Sequence, residues 1–211
     1  MARSRGVQEV ETCAILEIAV MVSDGDLVRQ ETRGAESTTS DAPADQGRVI
    51  EVTILQTQPS VSDLVPSQGP SLVIHHPEPV LAGMNAWCVE QHGKSGLTQR
   101  VRASAITLAE AEAAVLSFVA RHTQPQAAQL AGNSVHVDLA FLRRYMPSLA
   151  AHLSYRIVDV SSVRELAKRW YPAEMRRAPR KACEHTALAD IRESLAELRW
   201  LRKTVFKAPR G

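Results

Sequence analysis

The stretch Ala131-Gly132-Asn133-Ser134-Val135-His136-Val137-Asp138 runs on into Leu139-Ala140-Phe141-Leu142-Arg143-Arg144-Tyr145-Met146-Pro147, and its reading decides the fold. An apolar strand end meets a Gly-Asn-Ser turn. A carboxylate, Asp138, then opens an amphipathic helix whose Phe141, Leu142 and Tyr145 fall on one face by their three-to-four spacing. Asp138 therefore stands at the rim of a sheet. By itself it reads either as a partner for the positive end of the helix dipole or as a metal ligand.

Working outward, the same alternation of strand and helix recurs. Residues 155–160 and 129–131 read as strands. Thr107-Leu108-Ala109-Glu110 has capping-box spacing and opens a helix to about residue 121, with Leu108, Ala111, Val115 and Phe118 as its buried stripe. Ser162-Val163-Arg164-Glu165 has the same spacing, and Val163, Leu166, Ala167 and Trp170 line the helix that follows until Pro172. The last helix runs over about 186–203, with Leu188, Ile191, Leu195 and Leu198 buried. Residues 14–22 form an apolar strand interrupted by Glu17, and Ser23-Asp24-Gly25-Asp26 reads as the turn of a hairpin. Residues 70–76 form another strand, closed by Pro77 and Pro79, so His75 and His76 read as structural. Strands that alternate with helices predict an α/β class: a mixed sheet flanked by helices.

The stretch 28–68 has a different texture. Residues 29–47 are Thr, Ser, Glu, Asp, Ala and Gly with almost nothing to bury, a disordered composition. Residues 49–55 could form an isolated strand inside it. A loop of about 40 residues is abnormal within a compact domain, so 28–68 reads as a disordered insertion.

The bulk numbers fit one domain over 1–211. The chain has 211 residues, 45% of them hydrophobic and 23% charged, with a net charge of +2 that does not argue for nucleic acid unaided. Cys13, Cys88 and Cys183 include no CxxC pair, which favours a reducing, intracellular setting over a disulfide framework. No run approaches the roughly 18 apolar residues of a membrane span, and the first residues lack the apolar core of a secretory signal.

A second informative stretch is His185-Thr186-Ala187-Leu188-Ala189-Asp190-Ile191-Arg192-Glu193-Ser194. Together with residues 15–24, Trp87, His92-Gly93-Lys94-Ser95-Gly96-Leu97, the 132–138 motif, Tyr145-Met146-Pro147, residues 155–172 and 185–198, it resembles the oligoribonucleases. These are ribonuclease-H-like 3′–5′ exonucleases of the DEDDh type that finish RNA decay by cutting short oligonucleotides. The resemblance covers about 15–27 and 69–207.

The resemblance implies a ribonuclease-H-like sheet and hydrolysis of short single-stranded RNA to mononucleotides. It also implies a homodimer and a cytoplasmic or mitochondrial setting. A phosphodiester has a poor leaving group and a repulsive charged centre. Two divalent cations about 4 Å apart can generate hydroxide and neutralise the leaving oxygen, and Mg²⁺ or Mn²⁺ wants oxygen ligands. On this resemblance Asp138 and Asp190 are metal ligands and His185 is the general base, a role suited to a pKa near neutrality. Tyr155 matches an active-site tyrosine. Ser134, Arg156 and Ser161 match positions that hold the 5′ phosphate of a dinucleotide, a task for which arginine's fork is suited. Trp87 and His92 match residues near the substrate, where an aromatic can stack on a base; Trp87 also reads as plain core. Residues near His92 are expected to reach towards the partner's site.

One departure matters. The family opens on a strand bearing Asp-x-Glu, whose carboxylates are central ligands of the metal pair. An ungapped alignment through Glu17 puts Ala2 and Ser4 at those positions, and Glu9-Val10-Glu11 lies too close to the next strand to substitute. The first 13 residues are unrelated to the family, and the two sharp-edged anomalies point to an imperfect gene model rather than to divergence. The chain is accordingly expected to cleave slowly or not at all. The rival reading is a catalytically inactive nucleic-acid-binding homologue.

Overall fold

Strand β1 (Ala14–Asp24) is the spine of the sheet. In the computed structural model, which describes residues 13–24, 47–56, 67–179 and 187–207, it is hydrogen-bonded on both sides. Strand β2 (Gly47–Gln56) runs parallel to it and β3 (Ser67–Val73) antiparallel. Strand β2 pairs antiparallel with β4 (Gln129–Gly132), and β4 pairs parallel with β5 (Ile157–Asp159). The order β3-β1-β2-β4-β5 makes the mixed sheet that the sequence predicts.

Helices cover both faces. Along β1, Ile18, Val20 and Val22 enter one core cluster with Val115, Phe118, Phe141 and Leu142. Ala19 and Met21 enter another, with Ile191, Leu195 and Leu201. A strand buried on both faces reads as a near-continuous apolar run, which is the texture of residues 14–22. The helices are α1 (Glu78–Ala82), α2 (Ala86–Lys94), α3 (Leu97–Ala103), α4 (Leu108–His122), α5 (Val135–Tyr145), α6 (Pro147–His152), α7 (Val160–Trp170), α8 (Pro172–Met175) and α9 (Ala187–Thr204). No single described helix is long and apolar enough to cross a membrane.

Helix α4 starts as its spacing predicts. Glu110 N donates to Thr107 Oγ1 at 3.3 Å and Thr107 N donates to Glu110 Oε2 at 2.8 Å, a reciprocal capping box. Its Ala111, Val115 and Phe118 are buried, with Leu108 half-buried at the start. In α9, Ile191, Leu195 and Leu198 are buried and Leu188 half-buried. His76 is structural: its Nε2 lies 2.9 Å from the Ile15 carbonyl oxygen.

Three expectations are corrected. The texture expected to be disordered over 28–68 does not extend to residues 47–56, which form the central strand of the sheet rather than an isolated one. Its backbone pairs with β1 along its length and with β4 over Thr53–Leu55, so a Val/Ile-rich run finds ladder partners on both sides. Ser23 and Asp24 end β1 instead of starting a hairpin, since the next described strand is parallel to β1 and parallel neighbours need a crossover. Finally, α7 is not capped by Ser162 and Glu165. Asp159 is its N-cap, with Oδ1 accepting from Ser161 N at 2.9 Å, while Glu165 turns to Lys168 and Arg169. The stripe of α7 that meets the core is Val160, Val163 and Ala167, at i, i+3 and i+7, which leaves Leu166 and Trp170 exposed at 44% and 66%.

Candidate active site at the β4–α5 turn

The β4–α5 connection is tight because two residues adopt positive φ. Gly132 has φ +154° and Ser134 φ +53°, the left-handed region that few non-glycine residues enter. That geometry starts α5 at Val135 and places Asp138 in its first turn, with only 4% of its surface exposed. A carboxylate there gains from the helix dipole.

Asn133 anchors the turn to two other elements. Its Nδ2 donates to Ser194 Oγ at 2.9 Å and to Glu197 Oε2 at 3.3 Å. Its Oδ1 accepts from Ser161 Oγ at 3.2 Å. Ser194 and Glu197 are buried on α9, and Arg164 Nε of α7 lies 3.2 Å from Glu197 Oε1. Asp190, Ser194 and Glu197 are spaced four and three residues apart, so they share one face of α9. The face that carries Asp190 is therefore the face that meets Asn133. Asp190 itself is half-buried in the first turn of α9.

Ser134 and Ser161 are brought together at the start of α7. Ser134 N donates to Ser161 Oγ at 2.8 Å and to Asp159 Oδ1 at 3.2 Å. The carboxylate of Asp159 thus gathers three backbone N–H groups, from Ser134, Ser161 and Ser162, and its Oδ2 lies 3.3 Å from His136 Nδ1. Before β5, Tyr155 is 71% exposed and the Arg156 guanidinium sits 4.4 Å from the centre of its ring, a cation–π contact.

The structure therefore gathers Asp138, Ser134, Ser161 and the Asp190 face of α9 around one turn. Trp87 and His92 are elsewhere in the fold. Both lie on α2, on the β1–β3 side of the sheet, where Trp87 packs against a cluster of Leu16, Leu81, Met84 and Leu97. His92 is only 7% exposed. A cavity of about 440 Å³ beside α2, lined by Glu78, Met84, Val89, Thr98 and Arg102 among others, holds none of the expected site residues. His185 lies outside the described residues. Among the described residues no group of three or more His, Cys, Asp and Glu is placed to hold a metal ion. Asp138 and Asp190 supply the right hard oxygen donors, but too few for a pair of ions that each take about six ligands.

Asn133, Asp159, Ser194 and Glu197 were not singled out from the sequence. The available signal is Glu197, one helical turn before the apolar Leu201 and three residues after Ser194, since a carboxylate on an inward face requires partners.

Comparison with known proteins bears on this turn. A family model described as exonuclease matches residues 35–198. The chain is 49% identical over 172 residues to the mitochondrial oligoribonuclease of Homo sapiens, covering 82% of this chain and 71% of that protein. It is 50% identical over 159 residues to a probable oligoribonuclease of Dictyostelium discoideum, covering 75% and 82%. It is 45% identical over 168 residues to an oligoribonuclease of Nocardia farcinica, covering 79% and 77%.

Proposed function

The chain belongs to the oligoribonuclease family of exonucleases, and from that membership we propose that it is a 3′–5′ exoribonuclease, a hydrolase that trims short oligoribonucleotides to mononucleotides. The observation that carries the reading to particular atoms is the buried Asp138 carboxylate, in the first turn of α5, just after the turn that Asn133 ties to the α9 face bearing Asp190. Ser134, Ser161 and Arg156 form the proposed hold for the 5′ phosphate, and the exposed Tyr155 stands beside it. His185 is the proposed general base. The short chain of a dinucleotide leaves few base contacts, so phosphate recognition supplies most of the affinity in this reading.

Exonucleases of this family use divalent metal ions. Mg²⁺ or Mn²⁺ is the proposed ion, and the two described carboxylates fall short of a two-ion centre. This supports slow turnover. The proposed assembly is a homodimer in the cytoplasm or mitochondrion, and one relative's name places that relative in mitochondria.

The test is incubation of purified protein with a labelled RNA dinucleotide and Mn²⁺, beside an Asp138→Ala control. Slow mononucleotide release that vanishes in the control supports the nuclease reading. Dinucleotide binding without release supports the inactive-homologue alternative. Robust turnover, lost in the control, refutes the expectation of a weakened enzyme.

A further inference from the structure

We propose that Asn133 is a positioning residue that sets the β4–α5 turn against α9 and, separately, pins the Ser161 hydroxyl that braces Ser134 in the proposed phosphate hold. This role rests on the nuclease reading above. One amide serves both tasks with different atoms. The Nδ2 donors face Ser194 Oγ and Glu197 Oε2, while Oδ1 accepts the Ser161 hydroxyl. The acceptors on α9 are buried, at 3% and 9% exposure, so solvent does not readily replace a lost donor.

The donor half fixes the distance between two helix starts. Asp138 follows Asn133 by five residues on the far side of the tight turn, and Asp190 precedes Ser194 by one helical turn on the same face. A shift of about 1 Å between two such groups is enough to cost on the order of a hundredfold in rate. The acceptor half holds the orientation of Ser161. That hydroxyl gives its proton to Asn133 and takes one from Ser134 N at 2.8 Å, so both of its hydrogen-bonding roles are fixed by the turn.

The division of labour gives a signature that simple destabilisation does not. In Asn133→Asp the acceptor for Ser161 stays, while both donors are lost and a charge is set against Glu197. In Asn133→Ala both halves are lost. The full chain is assayed with an RNA dinucleotide and Mn²⁺, with rates corrected for the folded fraction from thermal unfolding. Asn133→Asp is expected to lower kcat at least tenfold with KM within about threefold of the parent. Asn133→Ala is expected to lower kcat similarly and also to raise KM at least fivefold. If both variants retain the parent's kcat and KM per folded molecule, the role is purely structural and the proposal is overturned.

A parent chain that releases no mononucleotide sinks the nuclease reading instead. Hydrogen exchange then decides the positioning claim alone. Asn133→Asp must speed exchange at least tenfold in residues 135–142 and 187–194 together, with α4 unchanged. Unchanged exchange in those two segments, or equal acceleration in α4, overturns it.

Discussion

Asn133 Nδ2 and Ser194 Oγ are 2.9 Å apart and 61 residues apart in sequence. The bond joins a turn to the middle of the last helix, and Ser194 is 3% exposed. Ser194→Ala removes one acceptor and leaves Glu197 as the longer alternative at 3.3 Å. Stability is expected to fall by about 1 kcal/mol. Chemical denaturation checks this: a lower midpoint with an unchanged slope is the expected result, and an unchanged midpoint contradicts it.

The Glu17–Arg100 pair is asymmetric. The Glu17 side chain is 4% exposed and that of Arg100 43%, with 3.1 Å between Oε1 and Nη1. Glu17 Oε2 has no hydrogen-bond partner. Arg100→Ala strands a charge in the core, and a loss of about 2 kcal/mol is expected, below the full penalty of a buried pair because water reaches the arginine side. Glu17→Gln in the Arg100→Ala background is expected to recover much of that loss by removing the stranded charge. A double-mutant comparison by thermal unfolding tests both halves.

Gly69 has no room for a side chain. A Cβ there would meet Phe118 Cε1 and Val20 Cγ1, each at 2.5 Å. Gly69→Ala is expected to destabilise by about 1–3 kcal/mol through overpacking. Phe118→Leu in the same chain should restore part of it, since it removes the ring edge that clashes while Val20 Cγ1 remains. A double variant less stable than Gly69→Ala by the full cost of Phe118→Leu would refute the steric account.

Acid should loosen the start of α4. The backbone N–H of Thr107 and its hydroxyl hold the Glu110 carboxyl below the usual glutamate range. A group whose pKa is lowered by folding adds stability above its unfolded value and loses that contribution as the pH falls through the folded one. The contribution of the capping box is therefore complete at neutral pH and fades in the acid range below the ordinary glutamate pKa. Glu110→Gln should flatten this part of the stability profile while leaving the neutral-pH fold intact. Unfolding midpoints measured from neutral to acid pH, in parent and variant, compare the two slopes.

Much of this protein is legible in its sequence. The α4 capping box, the inward stripes of α4 and α9, the turn ahead of α5 and the burial of Phe141 and Leu142 are local matters of spacing and propensity, and the sequence contains the whole cause. The family motifs likewise placed Asp138 and Asp190 on helix starts, because a motif encodes strand, turn and helix together.

What sequence alone left open depends on partners far along the chain. Residues 47–56 looked peripheral because their flanks are polar, and only the open edges of β1 and β4 make them the central strand. Helical period alone allows Leu166 and Trp170 a buried place, and packing chooses the Val160, Val163 and Ala167 face instead. Asn133 looked like an ordinary turn residue until Ser161, Ser194 and Glu197 were brought to its amide. Periodicity reports which face a residue takes within its own element. Which element that face meets is decided by hydrogen-bond pairing and close packing across the fold, and those are tertiary quantities.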